Sequence, residues 1–226
     1  MRATARLVAG CDGAGRTRLT ELYGEAPLLP RLTGPGEVHL VGGAAGPLGG
    51  DELSLEVAVC AGASLTVRSV AATVALPGPG WSRLSVSVRV EAGGRLDWLP
   101  EPLIAAARCR HITVSTVDLA AGAVLVWREE LVCGRYGEEP GDARLSTSVR
   151  LDGRPLYAGD LAVGPSAPSW SGPAVLGGAR VYGSVLYVGC SPVSAGGTML
   201  RLAGAGVLVT ALGADLPEVR AALGPS

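Results

Sequence analysis

Lysine and phenylalanine are absent from the 226-residue sequence, so all 19 basic residues are arginine. A P-loop places a lysine on its phosphates and Schiff-base catalysis uses a lysine amine, so neither chemistry belongs to this chain. Arginine codons are GC-rich and lysine and phenylalanine codons are not, so a biased genome composition accounts for the pattern. Aromatic residues make up only 4% of the chain, which leaves little on which to stack bases. With a net charge of −1 and no basic block, no nucleic-acid footprint is visible.

Charge is scarce as well. Charged residues are 17% of the chain, against about 25% in an average soluble protein. With 48% hydrophobic residues, either the core is large or a partner covers apolar surface. No run approaches membrane-spanning length, and residues 1–15 carry no apolar stretch long enough for a signal peptide. Cys11, Cys60, Cys109, Cys133 and Cys190 are odd in number and scattered. They predict reduced thiols in a cytoplasmic protein rather than a disulfide framework.

What is present is a repeat. Residues 49–135 contain three units of strand, small turn and strand, with turns at Ala61-Gly62-Ala63, Ala92-Gly93-Gly94 and Ala121-Gly122-Ala123. Their spacing of roughly thirty residues is that of a repeated supersecondary unit. In the first unit Leu53, Leu55, Val57 and Val59 alternate with Ser54, Glu56, Ala58 and Cys60; in the second Leu84, Val86, Val88 and Val90 alternate with Ser85, Ser87, Arg89 and Glu91. That period of two marks strands. The third unit, Ile112 to Val117, is less clean. Glycine in each turn supplies the positive φ of a tight connection, and stacked units would bury a continuous core. The expectation is one domain over residues 1–226: mainly all-β, a solenoid-like body of stacked hairpins with one or two short helices.

In chain order, residues 2–22 predict an opening hairpin turning at residues 11–15, and residues 37–41 a short strand. The glycine-rich stretch from Gly42 to Asp51 is either mobile or lets its backbone pass very close to something. No helical pattern follows it, so it is not a phosphate loop, and Asp51 suits bonding to nearby amides. Pro100 and Pro102 cannot sit in a central ladder, so the chain leaves its sheet there or runs along an edge. Asp152-Gly153 predicts another hairpin. Asp215 reads as the cap of a short helix over residues 217–223, with Pro217 in the first turn and Glu218 three residues after the cap.

No catalytic constellation is present. His39 and His111 are the only histidines, and neither sits in a nucleophile-base context. Glu129 and Glu130 are neighbours on one strand, so their side chains point to opposite faces and cannot flank one substrate from there. Cys109 and His111 share a strand face and would suit Ni, Cu or Zn, but further ligands are lacking in sequence. The plain reading is a buried cysteine and a surface histidine.

The chain resembles the urease accessory protein UreD (UreH) family. The resemblance is carried by Gly49-Gly50-Asp51 before an alternating strand, by Gly62-Ala63-x-Leu65, and by the run Leu96-Asp97-Trp98-Leu99-Pro100-Glu101-Pro102-Leu103-Ile104. Gly134-Arg135 with Gly137-Glu138, and Gly206 to Gly213 before a short helix, complete it. It implies a non-enzymatic, mainly β scaffold that binds UreF and through it the GTPase UreG, docks on apo-urease, and helps nickel reach the urease active site. No cofactor would be tightly held. The family's proposed passage for the metal is lined by acidic residues, and by position Asp51, Glu129 and Asp160 correspond to such residues. Oxygen ligands would hold Ni²⁺ loosely enough to release it. Two other readings are a cytosolic β-solenoid binding protein without a urease role, and a hydrolase in which Asp51, Glu129 and His111 converge in one pocket.

Overall fold

The computed structural model describes residues 1–193 and 196–224. Its strands in chain order are β1 (Arg2–Cys11), β2 (Thr17–Gly24), β3 (Leu28–Gly34), β4 (Glu37–Gly42), β5 (Glu52–Val59), β6 (Ser64–Ser69), β7 (Thr73–Ala75), β8 (Ser82–Val90) and β9 (Arg95–Leu99). There follow β10 (Leu103–Ala105), β11 (Arg110–Leu119), β12 (Val124–Cys133), β13 (Asp142–Leu151), β14 (Arg154–Val163), β15 (Val181–Val188), β16 (Thr198–Arg201) and β17 (Gly206–Gly213), and then one helix, α1 (Leu216–Leu223). The all-β, solenoid-like expectation holds.

Two sheets carry these strands. The first has the order β14-β13-β11-β8-β5-β1-β2, and the second β16-β17-β15-β12-β9-β6-β4-β3, with β7 and β10 attached beside β12. The predicted repeat is one rung of this two-layer stack. Each rung begins in the first sheet (β5, β8 or β11), turns at its Ala-Gly corner, and continues in the second (β6, β9 or β12). The two arms of a unit therefore do not pair with each other as a hairpin would. Each pairs in parallel with the same arm of the next unit, as Leu55 does with Val86 and Val86 with Ser115. The corner glycines Gly62, Gly93 and Gly122 have φ of 71, 67 and 76°, a conformation that favours glycine because it has no Cβ. Antiparallel hairpins close both ends of the stack, β1–β2 at one and β13–β14, turning at Asp152-Gly153, at the other.

The alternation seen in sequence decides what faces the space between the sheets. Leu55, Val57, Val59, Val86, Val88 and Val90 point inward and join Leu65, Leu96, Leu125 and Trp127 in the main core. Trp98 stacks on Trp127 with ring centroids 4.9 Å apart. A second core collects Leu103, Cys109, Leu131, Cys133, Ala143 and Leu145 further along the same strands. A third lies on the other side of the second sheet, where Val219 and Leu223 of α1 cover Val185, Val209 and Leu99.

The glycine-rich crossing is a close approach of backbone. A Cβ on Gly49 would stand 2.6 Å from the Cα of Gly78 and from the carbonyl oxygen of Gly80. Helix α1 begins as predicted: the Asp215 side chain accepts from the Glu218 amide at 2.9 Å, with Pro217 in the first turn.

Candidate functional site

The two inter-sheet cores are separated by a polar layer. On β11 the inward row runs His111, Thr113, Ser115 and then Val117 and Leu119; on β13 Thr147 interrupts Leu145 and Val149; on β12 Glu129 interrupts Trp127 and Leu131. Register aligns these interruptions, since Ser115 pairs with Thr147 and His111 with Ser82. The third repeat looked irregular because its inward face is the polar one.

The layer borders a cavity of about 510 Å³. Leu53, Leu55, Leu84 and Val86 form its apolar wall, and His111, Thr113, Ser115 and Glu129 its polar wall. It opens through a break in the second sheet. The β6–β9 ladder ends at Arg68 and Leu99, the β9–β12 ladder ends at Trp98 and Trp127, and pairing resumes only at Leu103 with Leu131 and with Thr73. Pro100 and Pro102 have no N–H to give, so neither donates a ladder bond there. Residues 41–42 and 44–47 line the cavity, with Val70 and Ala71, and so do Arg128, Glu129 and Glu130. The departure from the sheet predicted at these prolines is thus the doorway to the interior.

Arg128 fills part of the gap. Its Nη2 donates to the carbonyls of Leu99 and Pro100 at 3.0 and 2.9 Å, acceptors that the ladder leaves over. Burial lowers its pKa, opposed by the charge of Glu130 beside it.

Glu129 projects into the cavity. Its Oε1 accepts the Thr147 hydroxyl at 2.6 Å. It is half-buried and lines the cavity. Burial raises its pKa, and the Thr147 hydroxyl and the Trp127 indole oppose the shift; the indole nitrogen stands outside ordinary hydrogen-bond geometry. Tyr157 and Tyr182 feel its charge, which adds to burial in raising both phenol pKa values.

Glu130, the next residue, points out of the opposite face. Arg220 of α1 grips it bidentately at 2.9 and 2.7 Å and holds Glu101 at 2.9 Å. The expectation that these neighbours face apart is met, and Glu130 is ion-paired.

The remaining residues singled out in sequence lie elsewhere. Asp51 is buried outside the cavity wall. It accepts the Leu48 amide at 2.8 Å and pairs with the Met1 ammonium. Burial works against its ionisation, but the ammonium and the Leu48 amide hold its pKa below the ordinary value. It thereby fixes the turn beside Gly46 and Pro47, which line the opening. Asp160 is exposed at the edge of the first sheet, where Arg144 forks onto it at 2.6–3.0 Å.

His111 is fully buried rather than on the surface. It shares hydrogen bonds with Ser82 at 2.8 Å and Thr113 at 3.1 Å, and burial lowers its pKa to about 4. Cys109 sits in the second core with its Sγ 3.6 Å from the Asp142 carbonyl, its pKa raised by burial to about 11. It does not line the cavity with His111, and among the described residues no group of three or more His, Cys, Asp or Glu side chains is placed to hold a metal ion. Nor do Asp51, Glu129 and His111 meet in one pocket as a hydrolase would require. Sequence reasoning missed Thr147 and Ser115. Their signal was a hydroxyl at an inward position of two successive rungs.

No helix among the described residues is long and apolar enough to cross a membrane. The chain matches the family model described as UreD urease accessory protein over residues 1–225. It is 46% identical to a urease accessory protein UreD of Streptomyces avermitilis, covering 99% of this chain and 95% of the relative. Against the UreD of a Parafrankia species it is 44% identical over 97% of this chain and 86% of the relative, and against that of Streptomyces coelicolor 43% over 97% and 93%. On a family match spanning nearly every residue and relatives of this similarity, the chain belongs to the UreD urease accessory protein family.

Proposed function

We propose that the chain is a non-enzymatic scaffold of urease maturation in the cytoplasm, bridging a UreF–UreG assembly to apo-urease, and that nickel in transit enters its interior through the break in the second sheet and passes Glu129. Family membership supports the maturation role. The single observation that supports the passage is Glu129: a carboxylate without an ion-pair partner among the described residues, on the wall of a cavity that opens through a broken sheet.

Nickel is cargo in this reading, and the wall chemistry suits a cargo. Carboxylate and hydroxyl oxygens bind Ni²⁺ less tightly than thiolate or free imidazole. The thiols of Cys109 and Cys133 are raised to about 11 by burial and lie off the wall, and both nitrogens of His111 are already engaged. Asp51 contributes through the turn at the opening, and Asp160 as a carboxylate on the outer edge. Hydrolysis of GTP falls to UreG, in keeping with a chain that has no lysine.

The test is co-expression of this chain with the UreF, UreG and urease subunits of its own source, followed by co-purification and nickel quantification of the urease. Nickel loading that depends on this chain, and falls when Glu129 becomes Ala while the complex still assembles, is the expected result. Loading indifferent to the chain overturns the maturation role. Loading indifferent to Glu129, Asp51 and Asp160 alike overturns the passage alone.

A further inference from the structure

The link between β9 and β10, residues 100–102, forms one wall of the opening and has almost no ladder of its own. Its two prolines lack donors, and its remaining backbone bonds are Glu101 N–H to Ser69 Oγ at 2.9 Å and Thr73 N–H to the Pro102 carbonyl at 2.9 Å. Two arginines fix it from outside. Arg128 holds the Leu99 and Pro100 carbonyls, and Arg220 holds the Glu101 carboxylate while also holding Glu130 on β12. Arg220 thus spans from the loose wall of the opening to the continuous strand on its other side, and it does so from α1.

Helix α1 does not stand by itself. It has eight residues, too few to persist alone in water, so its position depends on docking. That docking rests on Val219 and Leu223 over Gly183, where an added Cβ would stand 2.5 Å from Val219 Cγ1 and 2.8 Å from Leu223 Cδ1, on the Ala222 carbonyl, which accepts the Gly196 and Gly197 amides at 3.0 and 2.8 Å, and on Arg220. About a third of the Arg220 side chain and of the Glu101 side chain is exposed, whereas that of Glu130 is fully buried. An event at the surface therefore reaches a buried carboxylate on the cavity lining.

We propose that α1 is a latch on the cavity, with Arg220 as the positioning residue that ties the Pro100–Pro102 wall to β12, so that undocking α1 loosens that wall and widens the opening to solvent and small cations. The latch regulates the same cavity as the passage reading and rests on that reading for its purpose, but not for its structural test. Losing Arg220 takes the close cation from both carboxylates and leaves Glu101 and Glu130 to the Arg128 guanidinium at 3.9 and 3.8 Å, and a buried carboxylate placed as Glu130 is draws in water.

The test uses the full chain with Cys11, Cys60 and Cys190 replaced by Ser and a reporter thiol placed on the cavity wall by Leu84→Cys. The probe is the small cationic reagent aminoethyl methanethiosulfonate, and its rate of reaction is measured at each thiol. Arg220→Met is expected to speed reaction at the reporter by about fivefold or more, a local opening, while the native thiols of Cys109 and Cys133, which lie off the cavity, stay slow. Arg220→Lys, which keeps a cation beside Glu101, is expected to restore most of the slow rate. An unchanged reporter rate overturns the latch. So does an equal acceleration at Cys109 and Cys133, which would mean general loosening. Nickel loading of urease by the Arg220→Met chain is measured separately. If the reporter opens and loading does not change, the latch stands and the passage reading falls.

Discussion

Glu129 and Glu130 are consecutive on β12, yet one accepts the Thr147 hydroxyl inside the stack at 2.6 Å and the other takes the Arg220 guanidinium outside it at 2.7 Å. The pleat alone separates them. The same local sequence therefore supplies to the cavity a carboxylate hydrogen-bonded to Thr147 and to the helix one held in an ion pair, and both line one cavity beside the break at Pro100 and Pro102.

Glu129→Gln separates charge from shape. Glutamine keeps an acceptor for Thr147 and removes the ionisable group. A carboxyl whose folded pKa is raised above the ordinary value of 4.5 keeps its proton in the folded chain over a window where the unfolded chain loses it, so stability falls as pH rises through that window. Thermal melts across that window should show this slope in the parent and a flatter profile in the variant. At neutral pH the variant should be at least as stable as the parent, while nickel loading drops. A variant that is less stable at every pH would mean that the charge is held by partners beyond Thr147.

His111 makes the opposite acid-side contribution. Its folded pKa of about 4, against 6.5 when free, means that the unfolded chain gains the proton first. Stability from the neutral imidazole is complete above 6.5 and is lost as pH falls toward 4, by about 3 kcal/mol in all. Urea denaturation should find His111→Gln losing less stability than the parent over that interval. Equal acid losses in the two chains would show that a proton enters without unfolding.

The outline of the fold was legible because inward rows such as Leu53, Leu55, Val57 and Val59 repeat at period two, and the Ala-Gly corners repeat at the rung spacing. The pairing was not legible. A corner that turns the chain into the opposite sheet has the same residues as one that folds it back on itself, and only the inter-rung ladders distinguish them. The site was half legible. Pro100 and Pro102 announced a departure from the sheet, and Glu129 stood out by resemblance. The polar layer did not, because whether Thr113 and Ser115 face inward depends on a register set by β8 and β13. Asp51 and Asp160 were singled out by position, but contacts distant in sequence, with Met1 and Arg144, determine their surroundings.

Gly49→Ala probes the crossing at the edge of the opening. The added methyl would press into the backbone of Gly78 and Gly80 rather than against a flexible side chain, and overpacking of this kind costs about 1–3 kcal/mol. Denaturation should show that loss. Gly13→Ala, where an added Cβ meets nothing within 4 Å, should change stability by less than about 0.5 kcal/mol. Matching losses at the two positions would show that the crossing yields to a methyl group at no special cost.

The Arg220–Glu130 pair can be weighed by a double-mutant cycle. Breaking a buried ion pair from one side costs about 3–5 kcal/mol because a charge is left unpaired in a poor solvent. Here Arg220 is about one-third exposed and Arg128 lies 3.8 Å from the Glu130 carboxylate, so Arg220→Met should cost less, about 1–3 kcal/mol. Replacing both, as Glu130→Leu with Arg220→Met, removes the stranded carboxylate and lets two apolar chains meet beside Val219 and Leu223. The double variant should then be more stable than Arg220→Met alone, with a coupling of about 1–2 kcal/mol. Simple additivity would show that water reaches Glu130 as soon as Arg220 is gone, and that the outer face of β12 is already wet in the native fold.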